Sequence, residues 1–86
     1  MHTVDLLQQV LALAKQLGYT VRMEDLGGEG GGICEFGGKR WLFVDLAAST
    51  IDQLRRSCDA LRLDPQLVNQ PFSAQLVSVL KPDQAA

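Results

Sequence analysis

The stretch Gly31-Gly32-Ile33-Cys34-Glu35-Phe36-Gly37-Gly38-Lys39-Arg40-Trp41-Leu42-Phe43-Val44-Asp45-Leu46 decides the fold. Its two halves are short apolar and aromatic runs of strand length, and Gly37-Gly38 between them supplies the positive φ angles of a two-residue hairpin turn. Ile33–Phe36 and Arg40–Leu46 are therefore expected to pair antiparallel. Just upstream, Tyr19, Val21 and Met23 alternate with Thr20, Arg22 and Glu24, the period-two pattern of a half-buried strand. In chain order the three runs predict a three-stranded antiparallel meander. Gly27-Gly28-Glu29-Gly30-Gly31-Gly32 connects its first two strands.

Helices flank this hairpin unit. Leu6, Val10, Leu13 and Leu17 keep helical spacing, widened by Leu7, Leu11 and Ala14, with Thr3 as the expected N-cap and Gly18 as the stop. Ser49 followed by Asp52 opens a second helix, along which Ile51, Leu54, Cys58 and Leu61 form the apolar stripe. Asp64-Pro65 and Gln70-Pro71 mark further starts, the last leading through Phe72, Leu76, Val79 and Leu80 to a stop at Lys81-Pro82. The expected architecture is a two-layer α+β domain in the order α-β-β-β-α-α, with two to three C-terminal helices on one face of the sheet. A single domain over residues 1–82 and a frayed tail at 83–86 complete the expectation.

The chain has 86 residues, 47% of them hydrophobic, and a formal net charge of −2. That length holds one core and excludes a multi-domain enzyme. A slight excess of acid gives no long-range attraction for phosphate backbones, so nucleic acid is not the expected partner. No basic segment leads an apolar run at the N-terminus, and nothing approaches a membrane span. Two cysteines, Cys34 and Cys58, are too few to replace a core and read as reduced thiols of a cytoplasmic protein, with a Cys34–Cys58 bridge as the alternative.

The third strand points toward function. With Leu42, Val44 and Leu46 toward the helices, Trp41 and Phe43 face the other way, on a side that a one-sided helical cover leaves bare. Either the C-terminal helix crosses to cover them, or they form a partner or self-association surface, since aromatics concentrate in interface cores. Asp45 shares their parity and would need a partner if buried. Arg22 is the candidate.

Other chemistry is less well supported by spacing. The glycine loop fits neither the dinucleotide nor the P-loop pattern, and a strand follows it, so no helix dipole adds to an anion site. Cys34 lies beside that loop, but the single histidine, His2, is remote in sequence, and the strand pattern makes Cys34 a core residue. Cys58 is expected in the core of its helix. No metal-ligand spacing occurs, no cofactor is implied, and Glu24, Asp25, Glu29 and Glu35 read as solvent-facing acids. Asp52 with Arg56 and Asp59 with Arg62 are expected surface pairs.

Gly31-Gly32-Ile33-Cys34, Gly37-Gly38-Lys39-Arg40 and Leu42-Phe43-Val44-Asp45 together resemble a pattern of small bacterial proteins of unassigned function, in which a Gly-Gly-x-Cys hairpin follows an N-terminal helix. The resemblance implies a bacterial cytosolic origin and no activity. The hairpin-then-helix order is also similar to the entry to the catalytic helix of compact zinc metallopeptidases. The helix from Ser49 to Cys58 carries none of their His-Glu-x-x-His ligands, so their activity does not transfer. The expected function is a non-enzymatic protein-interaction module, homodimeric through its sheet or aromatic face, with Trp41, Phe43, Arg22 and Asp45 at the interface. The alternative is a small ligand-binding protein or enzyme using Gly28, Gly30, Gly31, Gly32 and Cys34.

Overall fold

A computed structural model of the chain describes residues 2–71 and 73–80. The leucine spacing builds α1, Thr3–Gln16, which buries Leu7, Val10, Leu13 and Ala14. Its N-cap is His2 and not Thr3, and no side chain caps it; instead the Leu6 N–H reaches the His2 carbonyl at 3.1 Å. Gly18, at φ 98, ends the helix in the left-handed region that a side chain rarely adopts and hands the chain to β1, Tyr19–Glu24. Strands β2, Gly32–Phe36, and β3, Lys39–Asp45, form the expected hairpin, with Gly37 at φ 62 and Gly38 at φ 76 in the turn.

The sheet is not a meander. Its order is β1-β3-β2, with β1 parallel to β3 and β2 antiparallel to it. Glu24 ends β1 beside Asp45, and Gly32 begins β2 beside Phe43, so residues 25–31 must cross the C-terminal end of β3. Strands two apart in a sheet are separated by only about 10 Å, which a loop of this size spans. A parallel pairing needs a dozen or more residues of connection, and loop, β2 and turn together supply them. Placing β3 centrally puts the most apolar strand between two others. Leu42 and Val44 are fully buried there.

Ser49 caps α2, Thr50–Arg62, its Oγ accepting from the Asp52 N–H at 3.2 Å. Asp64 caps a 3₁₀ turn over Pro65–Asn69, accepting from the Gln66 N–H at 2.8 Å. The last helix, α3, Ala74–Leu80, begins after the Gln70-Pro71 signal and buries Leu76 and Leu80 in the core shared by α1, α2 and the sheet. Phe72, the stop at Lys81-Pro82 and the tail at 83–86 lie outside the described residues.

α3 is short, and Arg62 holds its end: the guanidinium donates to the carbonyls of Leu80 at 2.7 Å and Val79 at 2.6 Å. Cationic donors suit the carbonyl end of a helix. Arg62→Ala is expected to cost about 1 kcal/mol, given the partial exposure of these bonds. Urea unfolding with hydrogen exchange across residues 74–80 checks it, exchange rising there first.

Candidate functional site

Strand register sorts the sheet into two faces. Tyr19, Val21, Leu42 and Val44 share the side that meets the helices, while Thr20, Arg22, Trp41, Phe43, Cys34 and Phe36 share the other. α3 packs against α1 and α2, so the aromatic side stays uncovered among the described residues. Trp41 and Phe43 are half-buried there. Phe36 joins them at 54% exposure, a residue that parity through a two-residue turn would have placed beside Trp41.

The three rings form a continuous stack. Phe36 and Trp41 lie 5.2 Å apart at 6°, and Trp41 and Phe43 lie 6.1 Å apart at 19°. Lys39 Nζ sits 5.9 Å above the Trp41 ring, adding a cation–π contact. Trp41 Nε1 is sealed from water and has no acceptor, an uncompensated cost of roughly 1–3 kcal/mol for a buried donor. Cys34, expected in the core, is exposed, because its register partner is Trp41 and it therefore faces away from the helices.

At the top of β3, Asp45 organises the glycine crossover. It is 2% exposed, and its carboxylate accepts from the N–H groups of Leu26, Gly30 and Ala47, each at 2.9 Å. Burial opposes the charge, but these bonds and the Gly28 N–H outweigh it and hold the carboxyl below its ordinary range. Arg22 is not the partner: its guanidinium engages Glu24. Arg56, expected to pair with Asp52, instead donates to the Gly30 carbonyl at 2.9 Å, leaving Asp52 to Arg55. Asp59 does pair with Arg62. Gly30 is required by space, since a Cβ would lie 2.6 Å from Leu26 Cβ.

The loop is thus an anion nest whose anion is the chain's own carboxylate. Gly30 gives its N–H to Asp45 and Gly28 helps to lower that carboxyl, while Gly31, Gly32 and Cys34 line a depression of about 310 Å³ with Leu26, Ile33 and Phe43. The ligand-loop residues are therefore divided between two environments.

Spacing gave no sign of a third cluster, made by residues far apart in the chain. Tyr19 Oη donates to Asp64 Oδ2 at 2.8 Å, and Arg40 Nη1 donates to the same oxygen at 3.0 Å. The Arg40 guanidinium lies 4.3 Å over the Tyr19 ring and also bonds the Leu17 carbonyl. Burial, then the hydrogen bond and charge of Asp64, push the Tyr19 hydroxyl up to about 12. Asp64 moves the other way: burial is outweighed by the Gln66 N–H, Tyr19 and Arg40, and its carboxyl falls below the usual range. The cluster ties the end of α1, both long strands and the 3₁₀ turn together. A hydroxyl held neutral between a carboxylate and a guanidinium is a clamp and not a nucleophile.

Burial also pushes the Cys58 thiol up to about 11, which makes it inert at neutral pH. Both cysteines are free. Among the described residues, no three His, Cys, Asp or Glu side chains gather as a metal-binding group, and no helix is long and apolar enough to cross a membrane. The chain matches no family model, no curated protein and no solved structure, so what it does has to be read from its own residues.

Proposed function

We propose that the protein is a small non-enzymatic interaction module that associates with a second copy of itself through its sheet, the helices forming one layer and the sheet the other. The observation that carries this is the Phe36–Trp41–Phe43 stack, an ordered apolar surface with no covering element among the described residues. Such surfaces mark interfaces more often than they decorate a monomer. The orphaned Trp41 N–H adds an unpaid polar cost on the same face. Charge on that face is nearly balanced, Arg22 and Lys39 against Glu24, which suits a like copy better than a phosphate backbone.

A cytoplasmic setting belongs to the same reading, supported by two free thiols. A ligand-binding or enzymatic role for the Gly31, Gly32 and Cys34 depression is the second reading, favoured by the exposure of Cys34 beside it. Among the described residues its lining of Leu26, Gly31, Gly32, Ile33, Cys34 and Phe43 offers no basic side chain, and the single histidine, His2, stands at the start of α1.

Sedimentation equilibrium over a wide concentration range is expected to show a dimer. Phe43→Ala should raise its dissociation constant by about tenfold or more, as removal of an interface aromatic does. The emission of Trp41, the single tryptophan, reports whether the variant is folded. A wild-type chain that stays monomeric at millimolar concentration rules the reading out.

A further inference from the structure

The self-association reading leaves open which part of the sheet meets the second copy, and β2 specifies it. β2 is an edge strand, and Ile33 through Phe36 are all exposed. Edge strands are normally guarded by lysine, proline, a bulge or a covering element. Gly32-Ile33-Cys34-Glu35-Phe36 has no lysine, proline or bulge, carries Glu35 as its one charge, and presents apolar side chains on both faces. Because Phe36 and Lys39 close a two-residue turn with both central φ angles positive, they form a hydrogen-bonded pair, and alternation makes Cys34–Trp41 and Gly32–Phe43 the next ones. The backbone N–H and C=O groups of Ile33 and Glu35 therefore point outward along the free edge, with no partner among the described residues.

We infer that a second copy of this chain pairs antiparallel with β2 about a two-fold axis through Cys34, joining the two sheets into one of six strands; the inference rests on the self-association reading above. Three symmetric registers let the outward groups bond. One sets Glu35 against Glu35 of the partner subunit, a like-charge contact that destabilises. Another centres on Ile33 and carries the pairing into the loop, at Gly30 and Gly31. The third pairs all of β2, with Ile33 opposite the partner's Glu35 and Phe36 opposite the partner's Gly32.

Shape selects the same register. Gly32 has nothing within 4 Å of where its Cβ would be, and its neighbour across β3 is Phe43. The partner's Phe36 would fill that gap and lie against Phe43, the way an aromatic ring shields a strand glycine. On the helix side, the partner's Ile33 would come down beside Leu63, which is 82% exposed and lines a depression of about 360 Å³ with Ile33 and Glu35. Cys34 and the partner's Cys34 would form a non-hydrogen-bonded cross-strand pair, with Cα atoms about 4.5 Å apart and both side chains on the open face. That spacing lies within the range a disulfide bridges.

The test uses the full chain carrying Cys58→Ala, so that Cys34 is the single thiol. Oxidised glutathione is the probe: each Cys34 thiol gives up a proton and an electron, the Sγ–Sγ bond forms between chains, and two molecules of reduced glutathione leave. At concentrations where sedimentation shows a dimer, most of the protein should become a covalent dimer, and the yield should collapse in urea sufficient to unfold it. Glu35→Pro removes an outward N–H without touching the hairpin bonds and should raise the dissociation constant at least tenfold. Cys34→Asp, which opposes two carboxylates on the axis, should do the same and serves if the proline variant fails to fold. A dimer that gives no covalent product, or gives as much in urea, and that survives both substitutions, overturns this register while self-association stands. A monomeric wild type overturns self-association itself.

Discussion

Asp45→Asn is expected to lower the thermal unfolding midpoint by about 10–20 °C, because a small domain loses several degrees for each kcal/mol and several backbone donors lose a charged acceptor at once. The carboxylate accepts from Leu26, Gly30 and Ala47 and makes no ion pair among the described residues. Asparagine keeps one acceptor oxygen and turns an NH₂ donor toward N–H groups. Residues 25–31 should then exchange amide hydrogen quickly while α1 and α2 remain protected. Asp25→Asn, on the same loop but exposed and accepting only from the Gly27 N–H, is the control, with a much smaller fall. Equal losses in the two variants would show that Asp45 does not organise the crossover.

The second large effect belongs to the Tyr19–Arg40–Asp64 clamp. Asp64→Asn should cost about 2 kcal/mol, less than the 3–5 typical of breaking a fully buried pair, because Arg40 is 34% exposed. It also has a spectroscopic signature. Tyr19 is the single tyrosine, so the ultraviolet absorbance of tyrosinate follows this residue alone. The wild-type midpoint should lie near 12 and fall toward, without reaching, 10.0 in the variant, since burial is the largest cause of the rise and persists.

Both carboxylates make stability fall on the acid side. Their folded pKa values lie below their ordinary ones, so their contribution is complete above about pH 4 and is lost as pH drops through the folded values. Tyr19 acts on the alkaline side. Its neutral form is favoured by folding, so that contribution is complete below pH 10 and disappears between there and about 12. Urea midpoints across pH should show both limbs, with the alkaline one reduced in Asp64→Asn.

Local patterns carried the elements and failed at their connections. Leucine spacing, the Ser49 cap and the Asp64-Pro65 start each depend on neighbours within a turn, and each element lies within a few residues of its expected place. Strand order depends instead on what residues 25–31 do, and that loop can equally turn back or cross. Asp45 settles it by gathering the loop amides over the end of β3, an interaction between residues 15 and 19 apart. Cys34 lies on the aromatic face and not in the core because its register partner is Trp41, a pairing that the alternation within β2 alone does not specify. Arg56 left its expected helix pair for the Gly30 carbonyl, a partner 26 residues away. No spacing rule joins Tyr19 to Asp64, 45 residues on.

The crossover also orders events in time. Phe36 meets Lys39 three residues later, whereas Tyr19 must wait for Arg40 twenty-one residues away. Closing the short hairpin costs little loop entropy and needs only microseconds, so β2 and β3 are expected to form first and leave one flank of β3 vacant. β1 then enters beside a strand already paired on its other side, and the glycine segment locks over the top last. Contacts made that late are absent from the folding barrier. Asp45→Asn should accordingly shorten the lifetime of the native state while leaving the rate of reaching it almost unchanged.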